Sequence, residues 1–334
     1  MASALHKFKI LIADQDRQLA GVSKNMLQGM GFNNIHITQS GLEALTLLKT
    51  GDFDFLITDW VLKDIDGIEL ITRIRRDPDS PNPTLPVIML TGRMEQADVQ
   101  RARDQGIHEY VVKPFTAKNI YNRLERIVEF PRHFVIGKSF VGPDRRTRKA
   151  THLDTERRKN PIVAKPKPWE SAKAIQALDT PQLWIPDMTL KNKLGRGVSL
   201  DKLITPALLA QAQNAIDSAT DESLVWIRDD LTELRNFSAA LRTMAEPGPV
   251  LTQTTDIALS ISGRAGTFGF TRGSEVAYML YLFLRNTFKT SVDFHHTVIA
   301  KHTEVLQFIF GSNIRNETGD IMQIIAGLKA MASK

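Results

Sequence analysis

The chain has 334 residues, 42% of them apolar and 24% charged, which is enough for roughly two domains of ordinary size. It contains no cysteine, which excludes disulfides, thiolate zinc sites and cysteine nucleophiles, and no apolar run reaches the roughly 18 residues of a membrane span. The formal charge of +6 invites a nucleic-acid reading, but Pro131 to Pro168 hold 11 Lys and Arg against 3 Asp and Glu, a surplus of 8 that leaves about −2 for the remainder.

The opening "MASALHKFKILIAD" lacks the apolar core and small-residue cleavage site of a secretory signal, so a cytoplasmic address is expected. From residue 6 to 130, short apolar runs alternate with amphipathic stretches. The runs are "FKILIA" (8–13), "NIHIT" (34–38), "DFLIT" (54–58), "PVIML" (86–90) and "EYVV" (109–112). Several are apolar without alternation, as in strands buried on both faces of a parallel sheet. Between them, Leu19, Val22 and Met26 share one helical face, as do Ile120, Leu124, Ile127 and Val128. Gly31, Gly51 and Gly106 stand at expected helix C-caps. Five β-α units in succession predict an α/β, doubly wound, five-stranded parallel sheet with right-handed crossovers.

In such sheets ligands bind beyond the carboxyl ends of the strands. There the chain gathers Asp14, Gln15 and Asp16 after the first strand, Asp59 after the third, Thr91 at the fourth, and Lys113-Pro114 after the fifth. Neighbouring carboxylates repel one another and favour a hard cation such as Mg²⁺, which in turn lets a carboxylate attack a phosphoryl group. The Thr91 hydroxyl and Lys113 ammonium suit the remaining phosphoryl oxygens, with a cis bond at Pro114 aiming the lysine inward.

These residues, with "FLITDWVLKDIDGIEL", "VIMLTGR" and "EYVVKPFTAKNI", resemble the flavodoxin-like receiver domain of bacterial two-component response regulators of the chemotaxis type. The resemblance implies that Asp59 is the phosphoacceptor and that Val61 supplies a backbone carbonyl to the metal held by Asp14, Gln15 and Asp59, with Asp16 as a further candidate ligand. It implies a switch pair, Thr91 and Tyr110, and a phosphate contact from Lys113. Receivers usually carry two adjacent acids after the first strand. Here Gln15 replaces the second, so Mg²⁺ should bind more weakly.

Residues 131–198 are basic, contain Pro and lack sustained periodicity, which predicts a linker, with Trp169 and Trp184 placed to pin parts of it. "VGPDRRTRKA" and "ERRKNPIVAKPKP" attract phosphates, yet they lack interleaved aromatics and a recognition helix, so nucleic acid is disfavoured.

From 199 to 334 the chain reads as an all-helical bundle, with helices expected over 222–245 and around 250–263, 274–290, 294–310 and 318–332. "ALSISGRAGTFGF" (258–270) resembles the motif of histidine phosphotransfer domains at Gly263, Gly266 and Gly269, but Leu259 holds the histidine position. Leucine has no nucleophilic nitrogen, so the scaffold is expected without the chemistry; alternatively, the three glycines only let two helices approach. His302 falls on an apolar helix face and reads as core, whereas His295 and His296 read as surface residues near a helix start.

The function expected is that of a phosphorelay response regulator with a protein-binding helical output and no enzymatic output. Its donor would be a sensor histidine kinase or histidine phosphotransfer protein, and its downstream partner a protein; a homodimer stays open. The alternatives are a DNA-binding regulator, a phosphatase acting on another receiver, and a pseudo-receiver scaffold that works without phosphate.

Overall fold

The computed structural model describes residues 4–77, 79–80, 82–145, 162–163, 181–184, 189–195, 197–241, 243, 247–286, 292–315 and 319–332. Two compact units emerge, Met1–Val112 with Thr116–Ala215, and Lys113–Phe115 with Ile216–Lys334.

In the first unit the five apolar runs form strands β1 (Lys9–Ala13), β2 (Asn34–Thr38), β3 (Phe55–Thr58), β4 (Val87–Thr91) and β5 (Glu109–Val112). All pair in parallel, in the order β2-β1-β3-β4-β5. Every residue of β3 and β4 is buried, which accounts for their unbroken apolar character. Helices α1 (Arg17–Gly29), α2 (Gly41–Thr50), α3 (Gly67–Arg76), α4 (Gln96–Asp104) and α5 (Ala117–Glu129) connect or follow the strands. Leu19, Val22 and Met26 are buried on α1, and Ile120, Leu124, Ile127 and Val128 on α5, as their spacing predicts. Gly31 and Gly106 follow their helices with φ of 101° and 89°. Gly51 instead leaves α2 in extended backbone, so no left-handed cap forms there.

The start of α2 is held from another loop. The Asp64 carboxylate accepts the Ser40 hydroxyl and the N–H groups of Gly41 at 2.7 Å and Ile65 at 2.8 Å. Slight desolvation opposes ionisation, but these donors outweigh it and hold the carboxyl at about 2. Because this lies below the value of a free aspartate, the stabilisation is complete above about pH 4. It is lost as pH falls through about 2. Asp64→Ala should therefore lower stability by about 1 kcal/mol at pH 7. In urea titrations the gap to the unaltered chain should close at pH 2; a gap independent of pH would refute this role.

The stretch read as a linker departs from that expectation at its ends. A second, four-stranded sheet consists of β6 (Phe134–Ile136), β7 (Val141–Pro143), β8 (Ile162–Val163) and β9 (Gln182–Trp184), in the order β7-β6-β9-β8. Its core joins Phe134, Ile136, Val141 and Trp184, so Trp184 does anchor the segment. Trp169 lies outside the described residues. The hairpin is fastened to α3 by Arg76, which donates to the carbonyls of Lys138 at 2.9 Å and Ser139 at 2.8 Å. Beside it Arg75, 1% exposed, donates to the carbonyls of Gly106, Pro83 and Leu85 at 2.7–3.0 Å and lies 5.5 Å from the Phe134 ring centre. Short helices α6 (Thr189–Leu194) and α7 (Leu200–Leu203) follow, then α8 (Pro206–Asp217). On α8, Ala212 lies so near α1 that a Cβ on Gly29 would come within 2.7 Å of its Cα.

The second unit contains α9 (Thr220–Leu241), α10 (Gly248–Thr267), α11 (Thr271–Asn286), α12 (Val292–Gly311) and α13 (Gly319–Ala332). Each of α9 to α12 packs on the next, and α12 closes back on α9. Leu280, Tyr281 and Leu284 of "VAYMLYLFL" are all buried, as a central helix requires. A partly buried ion pair, Arg264 to Asp230 at 2.9 Å, ties α10 to α9. His302 is fully buried, its Nδ1 donating to the Val298 carbonyl at 2.8 Å. His295 is buried too, contrary to its surface reading, because the first turn of α12 faces Phe283, with ring centres 5.5 Å apart.

Candidate phosphoryl-acceptor site

Ladder register places the site. Ala13 of β1 is paired with Thr58 of β3, so both chains leave the sheet side by side, as Asp14 and Asp59. The Asp59 N–H donates to the Ala13 carbonyl at 2.8 Å, and the Asp14 N–H to the Thr38 carbonyl at 3.1 Å. Asp14 is 3% exposed and Asp59 half-buried, so two carboxylates share one partly desolvated rim.

Asp14 accepts the N–H of Asp16 at 2.9 Å, and Asp16 accepts the N–H of Leu19 at 3.0 Å as the N-cap of α1. Asp16 therefore has a structural task of its own. Gln15 is half-buried, and its carbonyl accepts Gln39 Nε2 at 2.7 Å.

The turn after Asp59 is narrow. Gly67 donates to the Trp60 carbonyl at 2.7 Å, and a Cβ on Gly67 would lie 2.1 Å from the Asp59 carbonyl oxygen. Asp66 caps α3 by accepting the Glu69 N–H at 2.7 Å. Val61, inside this turn, is half-buried.

Thr91, fully buried, ends β4 beside β3, and its Oγ1 accepts the N–H of Arg93 at 3.4 Å. The Tyr110 hydroxyl donates to the carbonyl of that same residue at 2.8 Å. Both members of the expected switch pair thus address Arg93. Sequence reading missed this residue, since a backbone carbonyl leaves no mark in a sequence. The Arg93 guanidinium in turn lies 4.6 Å from the Trp60 ring centre and 3.9 Å from Asp98. Lys113 follows β5, is 6% exposed, and precedes Pro114 through a cis bond.

Asp14, Asp59 and Thr91 hence stand on three adjacent strand ends. Among the described residues no three His, Asp or Glu side chains gather closely enough to hold a metal by themselves. The oxygen donors present, two carboxylates with the Gln15 amide and the Val61 carbonyl, still suit a hard ion such as Mg²⁺.

In the helical unit, Leu259 is buried where a phosphotransfer histidine would need to be exposed. Gly263 and Gly266 lie against Lys113 and Pro114 of the same unit. A Cβ on Gly263 would come within 3.2 Å of Lys113 Cδ, and one on Gly266 within 3.0 Å of Pro114 Cδ. Gly269, with φ of 83°, turns the chain between α10 and α11. Close approach and a turn therefore account for all three glycines.

Residues 10–125 match the family model of the response regulator receiver domain. The chain is 40% identical over 130 residues to the chemotaxis protein CheY-3 of Vibrio cholerae, covering 39% of this chain and 98% of that protein. It is 38% identical over 121 residues to the chemotaxis protein CheY of Pseudomonas aeruginosa, covering 36% and 96%. Among solved structures, the receiver domain of a sensor histidine kinase from Pseudomonas aeruginosa, with a magnesium ion in its active-site cleft, is 24% identical. It covers 36% of this chain and 95% of that one, at a TM-score of 0.33.

Proposed function

This chain belongs to the response regulator receiver domain family, and from that premise we propose that Asp59 accepts a phosphoryl group, with Mg²⁺, from a phosphohistidine donor. The observation that carries the reading is the pairing of Asp14 and Asp59 at adjoining strand ends, with Thr91 on the next strand. An Asp59 oxygen attacks phosphorus, the bond from phosphorus to the donor nitrogen breaks, and its electron pair leaves on the imidazole. An acyl phosphate results. Asp14, Asp59, Gln15 and Val61 would hold Mg²⁺, which would supply the positive charge that lets two anions meet. The Thr91 hydroxyl and Lys113 ammonium hydrogen-bond the phosphoryl oxygens.

The signal then leaves through Arg93. Turning Thr91 toward a phosphoryl oxygen gives up its long contact with the Arg93 N–H, and the Tyr110 hydroxyl loses a fixed carbonyl as that segment shifts. The output is protein binding by the helical unit, controlled by the phosphorylation state of Asp59.

The test is intact mass after incubation with acetyl phosphate. The expected result is a gain of one phosphoryl group that requires Mg²⁺; no gain at any Mg²⁺ concentration would sink the reading. Gln15 favours a second reading, a receiver that works without phosphate, because the rim lacks one anionic ligand. Gln15→Asp should tighten Mg²⁺ binding on the order of tenfold, since a unit charge about 4 Å from a cation is worth at least about 1 kcal/mol. Quenching of tryptophan fluorescence by Mg²⁺ reads this affinity, Trp60 being next to Asp59.

A further inference from the structure

At the amino-terminal edge of the five-stranded sheet, opposite the rim that carries Asp59, the first unit holds an open cavity of about 430 Å³. β4 alone separates the two ends by roughly 15 Å. The volume falls within the range of small-molecule sites.

Its wall carries four aromatic side chains, Phe53, Phe130, Phe134 and Trp184. Phe130, at the end of α5, is 72% exposed, a large apolar ring left in solvent beside the opening. Such surfaces favour flat, apolar ligands.

The charges beside these rings do not balance. Glu109 is met by three guanidinium groups, Arg123 and Arg132 at 3.1 Å and Arg126 at 3.7 Å. One carboxylate cannot neutralise three cations, so positive charge remains at the cavity, where Arg126 and Arg132 line the wall; Lys191, also on the wall, is paired with Glu129 at 2.9 Å. The other lining carboxylate, Asp54, is held by Lys193 at 2.5 Å and by the N–H of Lys9 at 2.9 Å. His108 adds a donor. Its Nδ1 accepts the N–H of Val87 at 3.2 Å, which leaves the ring proton on Nε2. Burial, with the Arg75 and Arg132 charges, holds the ring neutral.

We propose that this cavity binds a planar aromatic anion of small-molecule size, its rings against Phe130 and Trp184 and its anionic group toward Arg126 and Arg132. Nothing in the phosphoryl chemistry at the opposite edge requires such a site, and the two can be tested apart.

The probe is 8-anilinonaphthalene-1-sulfonate, titrated into the full chain and read by its own fluorescence. One saturable site with a micromolar dissociation constant is expected, displaced by 1-naphthoate. Arg126→Ala and Phe130→Ala alter side chains that reach solvent, so far-UV circular dichroism should not change. Each should weaken binding about three- to fivefold, the equivalent of losing one exposed charge or one aromatic contact. Phe308→Ala, which trims an exposed ring of the helical unit (52% exposed), should leave the titration unaltered. Absence of saturable binding, or affinities unmoved by both cavity substitutions, would overturn the inference. So would a loss of binding on Phe308→Ala alone.

Discussion

With Asp59→Asn, the mass gain produced by acetyl phosphate and Mg²⁺ should vanish altogether while the fold persists. The asparagine side chain retains an oxygen that can accept the Trp60 N–H, the contact made by the aspartate, and the exchange changes no volume. It removes the anionic nucleophile and one of two carboxylates at the rim, so both attack on phosphorus and Mg²⁺ binding suffer together. Thermal unfolding should move by no more than the equivalent of about 1 kcal/mol. A mass gain that survives would assign the phosphoryl group to a different side chain and remove the basis of the proposed function.

Gly67→Ala should be among the most damaging single methyl additions in the receiver. The added Cβ would lie 2.1 Å from the Asp59 carbonyl oxygen, 3.1 Å from its carbonyl carbon and 3.2 Å from Trp60 Cα. All three are backbone atoms, so no rotamer change can relieve the overlap. The turn must open, carrying the acceptor aspartate with it. A loss of at least about 3 kcal/mol is expected in urea unfolding, with slower phosphorylation of what remains folded. Gly21, on α1, is the control, because a Cβ there meets nothing within 4 Å. Gly21→Ala should stabilise by up to about 1 kcal/mol through helix propensity. Equal effects at the two positions would show that the close approach at Gly67 is not what sets its cost.

Much of this was legible in the residues. Parallel strands buried on both faces announce themselves as unbroken runs such as "VIML", and the polar residues that end them mark the reactive edge without further help. Asp16 reads two ways for a physical reason: a carboxylate after a strand serves a cation or a helix start equally well, and the Leu19 N–H at 3.0 Å shows the second use. The second sheet was hidden because β6, β7 and β9 are three residues each, too short for alternation to register, and β6 finds its partner β9 more than forty residues away. His295 was misjudged because position in a first turn says little about which neighbour that turn faces; Phe283 decides it. Arg93 could not be found at all, since its part depends on main-chain atoms common to every residue.

Arg75 alters where the N-terminal domain should be said to end. Its guanidinium is spread over three carbonyls with no carboxylate partner among the described residues, and burial pulls it down to about 9. Phe134 covers it, and Gly106, whose carbonyl accepts from Arg75, lies so near the hairpin that a Cβ there would meet the Val141 oxygen at 2.3 Å. A fragment cut at residue 130, where the sequence resemblance stops, would uncover a lone cation in an otherwise apolar layer. The smallest self-sufficient piece therefore reaches past Pro143, and the hairpin is better counted as an appended wall of the receiver than as a tether leaving it.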